Sequence, residues 1–172
     1  MKANGPPNGV AITNYPDGID ERGFFKRILE IRESNSKELD VSVSFNQEQF
    51  TLRGLHYDKT LRNEKKHVNV VAGSIFDVLV DMRPNEPTYL NWFSFHLSSA
   101  MNKTLHIPAG IAHGFLTLEP NTIICYVMEA KYDEMQYGRV RCNDPVVGIE
   151  WPFMPNVISQ KDKEAELLIA HI

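Results

Sequence analysis

The sequence predicts an all-β fold, a jelly roll closed around one concave inner surface. Short β-rich runs follow one another at 9–14, 24–32, 40–45, 49–57, 67–72, 74–82, 90–97, 103–107, 113–118 and 121–131. The run "SIFDVLVDM" alternates with period two, setting Phe76, Val78 and Val80 on one face and Ile75, Asp77 and Leu79 on the other. No linker, repeat or low-complexity stretch interrupts 1–172, which therefore reads as a single domain.

Each element has a local reason. "MKANGPPNGV" concentrates proline and glycine, which predicts a loose N-terminal arm over 1–10. Gly73, "RPNEP" at 83–87 and "EPN" at 119–121 break the strands on either side of them. In "NWFSFHL" (91–97), Trp92, Ser94 and His96 alternate with Phe93, Phe95 and Leu97. A small barrel buries one face of such a strand, so aromatic content on the other predicts a partner surface and a homodimer. Only the stretch from Ser159, "SQKDKEAELLIAHI", favours a short C-terminal helix, with Ser159 as its cap.

Composition narrows the function classes. A chain of 172 residues, 42% hydrophobic and 23% charged, can bury a real core. The net charge of −4 argues against nucleic acid or an anionic membrane as the main partner. No apolar stretch approaches the roughly 20 residues of a membrane span, and residues 1–10 lack the apolar segment of a signal peptide. Cys125 and Cys142 read as reduced thiols of a cytoplasmic protein, without a disulfide framework or zinc site.

Polar residues inside the strands carry the functional signal. Arg53, His56, Lys66, Asp77, His113 and Tyr126 each sit within or beside an apolar run. Taken singly, each reads as a satisfied core or edge residue; together they need partners, which the inner face of a barrel can supply. Arg53 and His56, in "LRGLHYD" (52–58), are three apart and would face opposite sides of a regular strand. For both to line one cavity the strand must be irregular, and Gly54 is the natural site of a bulge.

"HIPAGIAHGF" (106–115) turns the chain at Pro108–Gly110 and delivers His113 into the next strand. Its PxGxxH pattern resembles the second motif of the cupins, where the histidine is often a metal ligand. The first cupin motif supplies two histidines at HxH spacing, whereas this chain offers Arg53 and a single His56. A cation beside a metal ion is electrostatically unfavourable. The reading is a cupin-like double-stranded β-helix without the metal.

"DERGFF" (20–25), "LRGLHY" (52–57), "VVAGSIFDVLVDMR" (70–83), "PAGIAHGF" (108–115) and "NDPVVGIEWP" (143–152) occur in this order. Together they resemble the dTDP-4-dehydrorhamnose 3,5-epimerase family of nucleotide-sugar epimerases. The resemblance implies epimerisation of a nucleotide-linked 4-keto-6-deoxy sugar at carbon 3, carbon 5 or both, through an enolate, with no metal or redox cofactor. It implies His56 as the base, a role that suits an imidazole. Lys66 would face the developing oxyanion, and Tyr126 would return the proton. Asp162 would orient His56, although Ser159-x-x-Asp162 also has the spacing of a capping box. Asp77 is a second candidate for that role and could instead pair with His113. Arg53 and Arg22 would hold the diphosphate, a task that suits guanidinium, with Phe24, Asp77 and His113 also on the substrate. The partners implied are a nucleotide-diphosphate sugar and a second copy of the chain.

The chain departs from the family pattern in places. Lys26 and Arg27 follow "RGFF" where a Glu is usual, Gln-x-Asn is missing from "VSVSFNQEQ", and Tyr137 replaces the Glu before the Gly of "QYGRV". These positions bear on the nucleotide and the outer sugar face, so dTDP, GDP and CDP stay open. Two other readings stand beside the epimerase: a metal-dependent cupin oxygenase using His56, His67, His113 and a carboxylate, and a non-catalytic sugar-binding jelly roll.

Overall fold

Alternating β-branched and aromatic residues pair into two antiparallel sheets that face each other. A computed structural model describes residues 5–15, 17–21, 23–30, 39–61, 64–129 and 137–168. In chain order the strands are β1 (Ala11–Asn14), β2 (Asp17–Asp20), β3 (Gly23–Lys26), β4 (Asp40–Asn46), β5 (Thr51–Asp58), β6 (Lys65–Ala72) and β7 (Ser74–Asp81). They continue with β8 (Trp92–Ser98), β9 (Lys103–Ile107), β10 (Ile111–Thr117), β11 (Thr122–Glu129), β12 (Tyr137–Arg139) and β13 (Val157–Ile158), and α1 spans Gln160–Lys163. One sheet has the order β1-β9-β6-β11-β4; the other runs β12-β5-β10-β7-β8, with β13 parallel to β5. β2 and β3 form a separate hairpin. This is the expected cupin-like jelly roll.

The core lies between the sheets, where Val68, Ile75, Leu79, Leu105, Phe115 and Ile124 are buried together. A second cluster sits on the other face of the six-stranded sheet. There Leu55, Val78, Val80 and Ala112 meet Val140 and Val147, and Trp151 packs against them from the C-terminal segment. β7 and β10 are therefore covered on both faces, and this is why nearly every one of their residues is buried. The alternation read from the sequence holds, but each face of β7 meets its own core.

The five-stranded sheet is different. Val41, Val43 and Phe45 of its edge strand β4 are 64%, 66% and 55% exposed, while Ser42 and Ser44 alternate with them toward the interior. The outward apolar face is thus on β4. On β8, where the sequence suggested it, Trp92 packs against the second core and the exposed residues are Ser94 and His96.

Other expectations are corrected in detail. Of the arm expected over 1–10, residues 1–4 lie outside the described residues; within 5–10, Gly5, Pro6, Asn8 and Gly9 are exposed, while Pro7 is buried, Val10 packs on the main core, and Arg83 Nη1 donates to the Asn8 carbonyl at 3.1 Å. The run 24–32 is strand only through Lys26. Its continuation, Arg27–Glu30, is irregular, and 31–38 lie outside the described residues. The helix after Ser159 is a single turn, because from Glu164 onward the backbone leaves helical geometry.

Candidate active site

Gly54 decides how the site is built. It has φ +101°, and a Cβ there would stand 2.7 Å from the His113 carbonyl oxygen. Gly114 opposite is equally confined, its Cβ position 2.7 Å from the Arg53 carbonyl oxygen. Only two glycines allow these strands to approach so closely. Across the bulge His113 pairs with His56 and Phe115 with Arg53, so β5 uses three residues where β10 uses two. Since His113 and Phe115 share a face of β10, Arg53 and His56 share a face of β5. The expected irregularity is there, and both side chains line one cavity of about 680 Å³.

His56, Lys66, His113, Tyr126, Arg53 and Asp162 all line that cavity. His56 Nε2 lies 2.7 Å from Asp162 Oδ1, while Asp162 Oδ2 accepts from the Gly54 amide at 3.3 Å. Burial alone would raise the Asp162 carboxyl, but the hydrogen bond and charge of His56, with Ser159 and the Gly54 amide, hold it below the ordinary carboxylate value. Ser159 Oγ does accept from the Asp162 amide at 3.2 Å. The aspartate is therefore both the third residue of a capped turn and the partner of His56. Asp77 is fully buried and sits with Oδ2 2.8 Å from His113 Nε2, so it serves His113 and not His56.

The opposite wall comes from the five-stranded sheet. Tyr126 on β11 faces inward, its hydroxyl 3.2 Å from Ser44 Oγ. Burial pushes its phenol well above the ordinary value, opposed only in part by the Ser44 hydrogen bond; the group is a neutral donor. On the adjacent β6 the two lysines separate. Lys66 is 10% exposed and reaches Glu64 Oε2 at 3.0 Å, whereas Lys65 is 54% exposed and faces Glu129 at 3.9 Å. Base-like and donor-like groups thus stand on opposing sheets, with a buried ammonium lining the same cavity.

Arg53 is anchored at the cavity margin, with Nε donating to Asn46 Oδ1 at 2.7 Å. β4 turns Ser44 and Asn46, two residues apart, toward the interior on either side of the exposed Phe45. Arg22 lies outside the described residues, as does the side chain of Phe24. Lys26 donates to the Ser99 carbonyl at 2.7 Å, and Arg27 pairs with Glu30 at 3.5 Å. The ligand set of a metal-dependent cupin is not assembled. His67 occupies the outer face of its sheet, bonded to His106 and Glu129 at 2.8 Å each, and no metal-binding group of His, Cys, Asp or Glu forms among the described residues.

The family model for dTDP-4-dehydrorhamnose 3,5-epimerase matches residues 7–169. The chain belongs to this family. It is 36% identical over 149 residues to a dTDP-4-dehydrorhamnose 3,5-epimerase of Sinorhizobium fredii, covering 83% of this chain and 76% of that protein. The crystal structure of a dTDP-4-dehydrorhamnose 3,5-epimerase from Bacillus anthracis, with TDP and PPi bound, superposes with a TM-score of 0.86 at 32% identity, over 93% of this chain and 94% of that one. A Legionella pneumophila dTDP-6-deoxy-D-glucose-3,5-epimerase in complex with dTDP-4-keto-L-rhamnose gives a TM-score of 0.78 at 32% identity, over 92% and 87%.

Within this epimerase fold, sequence reasoning missed Glu64, Arg139 and Ser44. Glu64 was hidden in "RNEKK", which has the composition of a solvated surface run. Arg139 Nε lies 3.4 Å from Asp162 Oδ1 and sits on β12, a three-residue strand with too few residues to show a period. Its pairing opposite His56 is visible only in three dimensions.

Proposed function

We propose that this chain epimerises a dTDP-linked 4-keto-6-deoxy sugar next to its ketone, at carbon 3 and/or carbon 5, in deoxysugar biosynthesis. One observation carries the reading. A histidine gripped by a carboxylate and a neutral buried tyrosine line the same cavity from opposing sheets. His56 removes the proton beside the ketone, Asp162 stabilises the imidazolium that forms, and Lys66 faces the enolate oxygen. Tyr126 gives a proton to the other face of the ring, and solvent then restores the phenol and takes the proton from His56. Arg53 holds the diphosphate at the margin. The choice of dTDP rests on the TDP and dTDP-sugar bound in relatives.

The molecule works as a homodimer. An edge strand with exposed Val41, Val43 and Phe45 suits the matching apolar face of a second copy better than it suits water. Both cysteines are free thiols and no described helix is long and apolar enough to cross a membrane, in keeping with a cytoplasmic enzyme. Incubation with dTDP-4-keto-6-deoxyglucose in deuterium oxide tests the reaction: deuterium enters carbon 3, carbon 5 or both, with inversion. A sugar recovered without deuterium defeats the proposal.

A further inference from the structure

We infer that Glu64 is the positioning residue for Lys66, locking its ammonium to the wall of the cavity that carries His56. The inference rests on the epimerase reading for its effect on rate. Glu64 is 4% exposed on its side chain, and a buried carboxylate must be paired. Each oxygen has one partner: Oε2 meets Lys66 Nζ at 3.0 Å, and Oε1 accepts from the Tyr137 hydroxyl at 3.0 Å. The carboxylate cannot turn without losing one of them.

Tyr137 is itself held. It opens β12, which pairs with β5 so that Arg139 lies opposite His56. The next residue, Gly138, packs flush on Tyr57, where a Cβ would come within 2.5 Å of the ring. The Tyr137 ring centroid is 5.7 Å from the Lys66 ammonium, within cation–π range. Lys66 belongs to the five-stranded sheet and Tyr137 to the six-stranded one. The Lys66–Glu64–Tyr137 chain therefore bridges the two sheets and sets the ammonium at a fixed distance from the base. A lysine stem is otherwise flexible, and a misplaced donor loses much of its effect on a developing charge.

Glu64→Gln in the full-length chain is isosteric and keeps an acceptor for Tyr137 while removing the charge that holds Lys66. The expected kcat for solvent-deuterium exchange falls on the order of 10–100-fold with KM within about twofold. In parallel, lysines are reductively methylated with ¹³C and the Lys66 signal is assigned by its loss in Lys66→Arg. That signal, displaced by the Tyr137 ring in the wild type, moves to the exposed-lysine position in Glu64→Gln. Should Glu64→Gln fail to fold, Tyr137→Phe shows a smaller change of the same sense in both readouts. An unmoved Lys66 signal, or an unchanged kcat, overturns the inference. Failure of the epimerase reading shows separately, as a wild type that exchanges no deuterium, and the Lys66 signal then still decides whether Glu64 positions it.

Discussion

His56 Nε2 and Asp162 Oδ1 meet at 2.7 Å across 106 residues of chain. The same carboxylate takes the Gly54 amide, so it fixes both the imidazole and the bulge that aims it. Asp162→Asn keeps the Ser159 cap, which binds the backbone amide, and removes only the charge. Exchange and epimerisation should fall by about 10²–10⁴, with a stability loss of roughly 1–3 kcal/mol. Kinetics and a urea melt of the same preparation check this; near-normal turnover would reduce Asp162 to a helix-start residue.

His56 and Tyr126 should separate by isotope. Without the base no enolate forms, so His56→Ala abolishes both deuterium exchange and inversion. Tyr126→Phe keeps the ring and loses only the proton donor. It should still wash deuterium into the substrate while yielding little inverted product, because His56 can return a proton to the face it came from. Wild-type epimerisation by Tyr126→Phe would remove the tyrosine from the mechanism.

Stability should fall in acid with a defined sign. Asp162 and Asp81 are both held below the ordinary carboxylate value of 3.8. For Asp81, burial pushes upward, and hydrogen bonds from the Arg83 side chain, Thr88 and the Arg83 amide outweigh it. A depressed folded-state pKa gives stabilisation that is present above the unfolded value and disappears as pH drops through the folded one. Urea midpoints should therefore hold near pH 5 and decline below pH 4, and Asp81→Asn should flatten that decline while lowering stability at neutral pH. A wild-type midpoint constant from pH 5 to 3 contradicts it.

Arg53→Ala should raise KM more than it lowers kcat, because a diphosphate contact exists in the ground state as well as the transition state. Steady-state kinetics on the nucleotide sugar decides it. A pure turnover defect would move Arg53 into the chemistry.

Val43→Glu places a charge in the middle of the β4 face, 66% exposed in the single chain. Light scattering at micromolar concentration should show a dimer for the wild type and a shift toward monomer for the variant. A wild-type monomer refutes the assembly, and an unshifted variant moves the interface elsewhere.

Much of the fold was legible because period two is a local signal: β4, β5, β7, β9 and β11 fall close to where alternation puts them. The brief β2, β12 and β13 were not, since two to four residues carry no period and their pairing is dictated by distant partners. Gly54 betrayed the bulge through one conflict, two chemically related residues at a spacing that a straight strand cannot honour. Asp162 could be named but its orientation could not, as its capping and histidine-binding roles share one spacing. Glu64 was invisible for a different reason: a buried ion pair next to exposed charges has the same composition as a surface run. The β8 surface misled because alternation shows that a strand has two faces but not what covers the second.

The parallel strand β13 and the turn after it return the chain to β5 after every other strand in sequence order. During synthesis His56 emerges early and waits through the making of every other barrel wall before its carboxylate exists. A nascent or proteolytically shortened chain ending before residue 162 lacks the carboxylate that holds His56 and, with it, part of the cavity wall. The His56–Asp162 pair is thus a late property of the polypeptide, and an antibody or tag that captures the barrel reports amount without reporting whether that pair is present.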